Sequence, residues 1–246
     1  MHETYKNVAL VLEVEKAAMF LRGGLAELQK ISPTNNYYDP LLLFLSSGFE
    51  RLFKSMICLN YKEIHGKFPT YAEMKGGAES GHDIRYFKKM IEKMSVPVDR
   101  PFASEDYSVI MEDGTINDVM EVLTKYAMRG RYFHLDAILG NEQEFDPDSK
   151  WEKIETNLNI EQYGQNEWLK ILQSKDGLEL LYENSNNQLL CRIEMFLRAI
   201  SRQFTFGDFS SEAVVYSTPL SVFEYIKDEE LGKTNYNEYQ PYERIR

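Results

Sequence analysis

The sequence predicts an all-α protein, a bundle of long antiparallel helices followed by a helical C-terminal extension. Three observations lead there. Apolar residues recur every three or four positions over windows too long for strands. The breaks between those windows are helix punctuation, at Ser32-Pro33, Asp39-Pro40, Gly66 and Gly140. Finally, only Val214-Val215-Tyr216 offers itself as a short strand or extended strap.

The first helix spans about Tyr5 to Ile31, with Val8, Val11, Leu12, Ala18, Met19, Leu25 and Leu28 in period, and Ser32-Pro33 ends it. Asp39-Pro40 supplies an N-cap and an early proline for a second helix, Leu41 to about Ile64, which Gly66 stops. Lys67 to Glu79, with Pro69, Gly76 and Gly77, reads as a loop. Ser80 to Asp83 has capping-box spacing and opens a third helix carrying Ile84, Phe87, Ile91 and Met94. After the proline-bearing stretch Val96 to Gly114, Thr115 to Asp118 repeats that spacing and opens a fourth helix that runs to Leu139 and closes at Gly140. Beyond it, helical patterns surround Trp168 to Leu172, Leu178 to Phe204 and Leu220 to Leu231. The tail from Thr234, with Tyr236, Tyr239 and Tyr242, reads as a terminus that is mobile unless docked.

With 246 residues, 43% hydrophobic and 27% charged, the chain is neither disordered nor low-complexity, and it is long enough for one large domain or two small ones. Its net charge of −11 counts against a broad nucleic-acid surface, but the charge is unevenly spread. Residues 1–140 carry 17 basic and 19 acidic side chains, a net of −2, whereas residues 141–246 carry 11 and 20, a net of −9. The expected division is a helical bundle over 1–140 and an acidic, mostly helical extension over 141–246. Cys58 and Cys191 sit in apolar helical stretches and make no disulfide scaffold. No signal-peptide pattern opens the chain, and the densest apolar run, Leu41 to Leu45, is far too short for a bilayer. A cytoplasmic protein with no membrane partner is expected.

Phosphate-binding Gly-rich loops, cysteine-pair zinc frameworks, His-Glu-x-x-His and Gly-x-Ser-x-Gly are all missing from the sequence, so neither a metal nor another cofactor is expected. Four histidines remain. His2 is terminal, His65 suits the dipole at the end of the second helix, and His82 stands beside Asp83 at a helix start, where a structural role is available. His134 is different, because it follows Arg129 and Arg131 in the fourth helix. On an ideal helix Arg129 and His134 stand about 140° and about 7.5 Å apart, while Arg131 and His134 lie within about 60°. Gly130 removes bulk on the histidine's face, so both arginines can converge on an anion beside the ring. Such an imidazole can move a proton at a 2′-hydroxyl or a 5′-oxygen, and guanidinium can stabilise a charged phosphorane without a metal.

That spacing is common by chance, so context carries weight. Glu50 and Lys54 make an i, i+4 pair on the second helix. Arg85, Lys89 and Lys93 form a basic stripe on the third, with Lys88 adjacent, suited to guiding RNA or simply to facing water. Tyr37, Tyr38 and the tail tyrosines are the aromatics available for stacking on bases.

The order of a long helix with Glu50 and Lys54, then Gly81-His82-Asp83-Ile84 opening a helix, then a helix holding Arg129 and His134, resembles the HEPN superfamily over roughly residues 5–140. The resemblance implies a HEPN-like antiparallel bundle, commonly a homodimer, acting as a metal-independent endoribonuclease on RNA. It casts such a protein as a toxin or phage-defence effector held by a neutralising protein partner. It makes Arg129 and His134 the catalytic pair and Glu50 the polar residue facing them, with Arg131 and Lys54 in support. One position departs from the pattern: the residue after the arginine is typically polar in the active nucleases and is Gly130 here. The alternative is therefore a non-catalytic helical binding or dimerisation module of the same build. Residues 141–246 fall outside the resemblance.

Overall fold

The computed structural model describes residues 3–95, 98–141 and 145–238. Among these residues every named element is helical, and the single β-bridge, Ser32 to Asn35, closes the turn after the first helix. The fold is all-α. In chain order the helices are α1 (Glu3–Leu28), α2 (Asp39–His65), α3 (Tyr71–Lys75), α4 (Ile84–Met94), α5 (Ala103–Glu112) and α6 (Gly114–Met128). There follow α7 (Phe133–Ile138), α8 (Pro147–Tyr163), α9 (Gln165–Gln173), α10 (Gly177–Phe206) and α11 (Ser221–Glu224), with 3-10 turns at Gly130–Tyr132 and Ser211–Tyr216 among others. No helix among the described residues is long and apolar enough to cross a membrane.

Helices α1 and α2 run antiparallel and approach closely, because each offers a glycine to a leucine of the other. A Cβ on Gly24 would stand 2.5 Å from Leu45 Cδ2, and one on Gly48 2.7 Å from Leu21 Cγ. Val14, Leu21, Leu25, Leu45 and Phe49 are thereby shut off from solvent, each burial contributing roughly 1.5–3 kcal/mol. The long helix α10 lies against this pair: the Phe196 ring meets Phe49 and Phe53 of α2 edge-on at 5.9 and 6.2 Å. Residues from both sides of Gly140 thus share one contiguous hydrophobic core.

Two polar fastenings complete the bundle. Arg100, in the turn before α5, donates to both carboxylate oxygens of Asp208 at 3.1 and 2.9 Å and to Asp106 at 2.8 Å, while Arg202 of α10 donates to the other oxygen of Asp106 at 2.9 Å. At the far end, Glu194 of α10, fully buried, accepts from Gly232 N at 2.6 Å and Tyr236 Oη at 2.9 Å. Tyr236 is docked and almost fully buried; Tyr239 and Tyr242 lie outside the described residues.

Several expectations are corrected. The fourth helix stops at Met128, so Arg129 and His134 share no helix. Gly130 is a poor helix former, and a Cβ on it would lie 2.6 Å from Pro147 Cγ, so the chain turns there to admit α8. The stretches read as irregular contain α3 and α5, and α8 carried no expectation at all. Val214 to Tyr216 belong to a 3-10 turn instead of a strand, and α11 occupies only four residues of the stretch from Leu220 to Leu231. Val8 and Leu12 lie on the exposed side of α1, whose buried stripe is Leu10, Val14, Ala17 and Leu21. Lys88 does not join the basic stripe but is buried, donating to Glu92 at 2.5 Å and to the Ile110 carbonyl at 2.8 Å. Tyr38 is also buried and only Tyr37 is exposed.

Candidate functional site

A groove of about 460 Å³ opens between α1, α2, α3 and the start of α4. Two neighbouring rows of α2 build its floor: Ser47, Arg51 and Ser55 form one, and Glu50, Lys54 and Cys58 the other, each at four-residue spacing. Leu10 and Glu13 come from α1, Met74 from α3, and His82 and Arg131 from the loops flanking α4 and α6. Glu50 is the hub. Its Oε1 accepts from Lys54 Nζ at 2.6 Å, and its Oε2 accepts from His82 Nδ1 at 2.9 Å. Lys54 also stands 5.4 Å from the Phe87 ring centroid, and Arg51 pairs with Glu13 while lying 5.5 Å from the Phe20 centroid.

The histidine owes its place to its loop. Ser80 Oγ accepts from His82 N at 3.0 Å, Asp83 caps α4 by accepting from Tyr86 N at 3.0 Å, and Tyr86 Oη accepts from Gly77 N at 2.8 Å. Asp83 is therefore the cap itself rather than the reciprocal partner of Ser80. With Nδ1 donating to Glu50, the other ring nitrogen, Nε2, is left as a proton acceptor on an exposed side chain. A cysteine nucleophile does not fit here, because burial pushes the Cys58 thiol up to about 11 and keeps it protonated.

A second, smaller cleft of about 110 Å³ holds His134 with Asp39, Asp146 and Asp148. Burial, then Asp146 and Asp39, push the Asp148 carboxyl up to about 6, and only His134 opposes them. Arg131 borders both clefts. Arg129 borders neither: it caps the end of α6, largely exposed, with its guanidinium 3.9 Å from Glu79.

No family model, curated protein or solved structure matches this chain. Of the residues the sequence singles out, Glu50, Lys54 and Arg131 come together in the larger groove, while His134 and Arg129 are placed elsewhere. Arg85, Lys89 and Lys93 are all exposed on α4, as a stripe requires. His82, given a structural role by the sequence, joins Glu50, Lys54 and Arg131 in the larger groove. Its partner Glu50 is 32 positions away, so no local pattern reveals the pair. Among the described residues no group of three or more His, Cys, Asp or Glu side chains is arranged to hold a metal ion.

Proposed function

We propose that the groove is the active site of a metal-independent endoribonuclease, with His82 as its proton-transfer group. The observation that carries this reading is the Glu50 carboxylate, which accepts from His82 Nδ1 and from Lys54 Nζ at once, within a groove that Arg131 also lines. Glu50 fixes the ring's tautomer and stabilises the imidazolium that forms, the part a carboxylate plays behind a histidine base. His82 Nε2 takes the proton of an RNA 2′-hydroxyl, and the 2′-oxygen then forms a bond to phosphorus. The phosphorus–O5′ bond breaks, and the 5′-oxygen receives a proton from the imidazolium. The products are a 2′,3′-cyclic phosphate and a 5′-hydroxyl. Arg131 and Lys54 offset the charge gathering on the phosphoryl oxygens. The exposed stripe of Arg85, Lys89 and Lys93 lies on the helix that His82 precedes and suits the strand beyond the cut.

The HEPN resemblance supports this class of reaction and the role of Glu50, but it assigns the imidazole to His134. Incubating the protein with mixed RNA in EDTA separates the two. Cleavage that survives chelation, leaves cyclic phosphate ends and disappears in His82→Ala supports the reading. Cleavage lost in His134→Ala and Arg129→Ala but retained in His82→Ala returns the chemistry to that pair. Intact RNA across substrates and length classes leaves the non-catalytic binding module.

A further inference from the structure

A third cavity, of about 270 Å³, lies between α8, α9 and α10, well outside the groove just described. Glu155 lines it and is nearly inaccessible as a residue, at 5% exposed. Its carboxylate oxygens accept from Tyr38 Oη at 2.8 Å and Trp151 Nε1 at 3.1 Å, both neutral donors. Among the described residues no Lys, Arg or His forms an ion pair with it. Buried carboxylates normally have a cationic partner, because desolvating an isolated charge is costly. This one has hydrogen bonds but no counter-charge, and each oxygen keeps lone-pair capacity.

The rest of the wall has a matching chemistry. Trp168 of α9 and Tyr182 of α10 present aromatic surface, Leu172 and Leu178 add apolar surface, and Glu152 brings a second carboxylate one residue from Trp151. Thr156, Asn159 and Ser185 complete a mixed lining. Aromatic surface beside carboxylates attracts organic cations, through the ring quadrupole and through charge. We propose that this cavity binds a small organic ammonium ion, its charged head at Glu155 and its apolar body between Trp168 and Tyr182. The site is independent of the RNA reading. It also gives the acidic C-terminal part of the chain a ligand of its own.

The titratable groups facing Glu155 are Tyr38 from the segment before α2, Glu152 on its own helix, and Tyr182 from α10. Burial raises both tyrosines above their ordinary range, so both stay neutral near neutrality. Burial also pushes the Glu155 carboxyl up to about 7. An ammonium ion binds the ionised form, so affinity rises as pH climbs through 7, by about tenfold from pH 6 to pH 8.

The test is calorimetric titration of the full chain with 2-phenylethylammonium and with its neutral counterpart 2-phenylethanol. The expected result is saturable binding of the ammonium, at least about tenfold tighter than the alcohol, tightening from pH 6 to pH 8. Glu155→Gln keeps a carbonyl acceptor for Trp151 Nε1 while its amide can donate to the Tyr38 hydroxyl oxygen, and it weakens the ammonium about tenfold without changing the alcohol. Trp168→Ala, on the cavity's rim, weakens the ammonium several-fold and serves if the Glu155 variant does not fold. Equal binding of the two probes, no saturable binding of the ammonium, or undiminished affinity in the variants overturns the proposal.

Discussion

The two histidine-bearing clefts that meet at Arg131 have opposite electrostatic characters. In the larger groove His82 faces Glu50, which Lys54 already balances, Arg51 is balanced by Glu13, and Arg131 leaves the walls with an excess of positive charge. In the smaller cleft His134 faces Asp39, Asp146 and Asp148, with Arg131 as the one counterweight among its lining residues. A phosphate approaching the first meets balanced or positive walls, and one approaching the second meets clustered acids. The lesson is that an imidazole's usefulness toward RNA is decided by the charges around it more than by an arginine nearby in sequence.

The largest expected effect tests that contrast directly. His82→Ala lowers ribonuclease activity by about 10²- to 10⁴-fold, the usual worth of a positioned proton-transfer group, while His134→Ala changes it by no more than a few-fold. Parallel kcat/KM measurements that rank the two variants the other way would sink the assignment. Arg131→Ala comes next. Because this side chain is solvent-exposed, its loss costs about tenfold to a hundredfold, below the value of a fully enclosed donor, and appears in kcat rather than KM. Gly130→Ala is smaller in activity and visible in stability. Its Cβ would meet Pro147 Cγ at 2.6 Å, so α8 must shift. A loss of about 1–3 kcal/mol follows, read by thermal or denaturant unfolding, with the cleavage rate of the folded fraction unchanged. A large drop in that rate would instead give Gly130 a part in the chemistry.

The same residue shows where sequence stopped being informative. Helical period located α1, α2, α4, α9 and α10 closely, because each must bury a stripe and the stripe is written in its spacing. Caps were less legible, since identical local signals were resolved by tertiary partners. Asp39-Pro40 and Asp146-Pro147 carry the same dipeptide. Asp146 caps α8, accepting from Asp148 N at 3.1 Å, whereas Asp39 accepts from Tyr126 Oη at its backbone carbonyl and Oδ1 and caps nothing. The capping-box spacing at Thr115 yields to Asp113, and a complete box forms at Thr70 and Glu73, inside a stretch read as loop. At the candidate site, Glu50 and Lys54 were visible as an i, i+4 pair, but their juxtaposition with His82 and Arg131 is made by folding alone. Gly130, a departure from the nuclease pattern, has a packing reason in Pro147 that no local window could supply.

The smallest effect probes the acidic cleft through its own titration. Asp148 holds its proton up to about pH 6 in the folded protein, against an ordinary aspartate value near 4 in the unfolded chain. Folding therefore favours proton uptake between those values. The stability Asp148 confers is greatest below about pH 4, falls as pH rises through the window, and is fully lost above about pH 6. Asp148→Asn cannot ionise and removes this decline. The variant is accordingly more stable than the parent at pH 7.5, and the advantage shrinks toward pH 4. Because the side chain is only half-buried, solvent screening limits the gain to a few degrees in Tm at most. Removing His134, the group that opposes the upward shift, drives Asp148 further up and steepens the decline. Melting curves of the parent, Asp148→Asn and His134→Ala at pH 4 and pH 7.5 decide it. An Asn variant displaced equally at both pH values would mean that neither burial nor the neighbouring aspartates raise Asp148, and the contrast between the two clefts would lose its electrostatic basis.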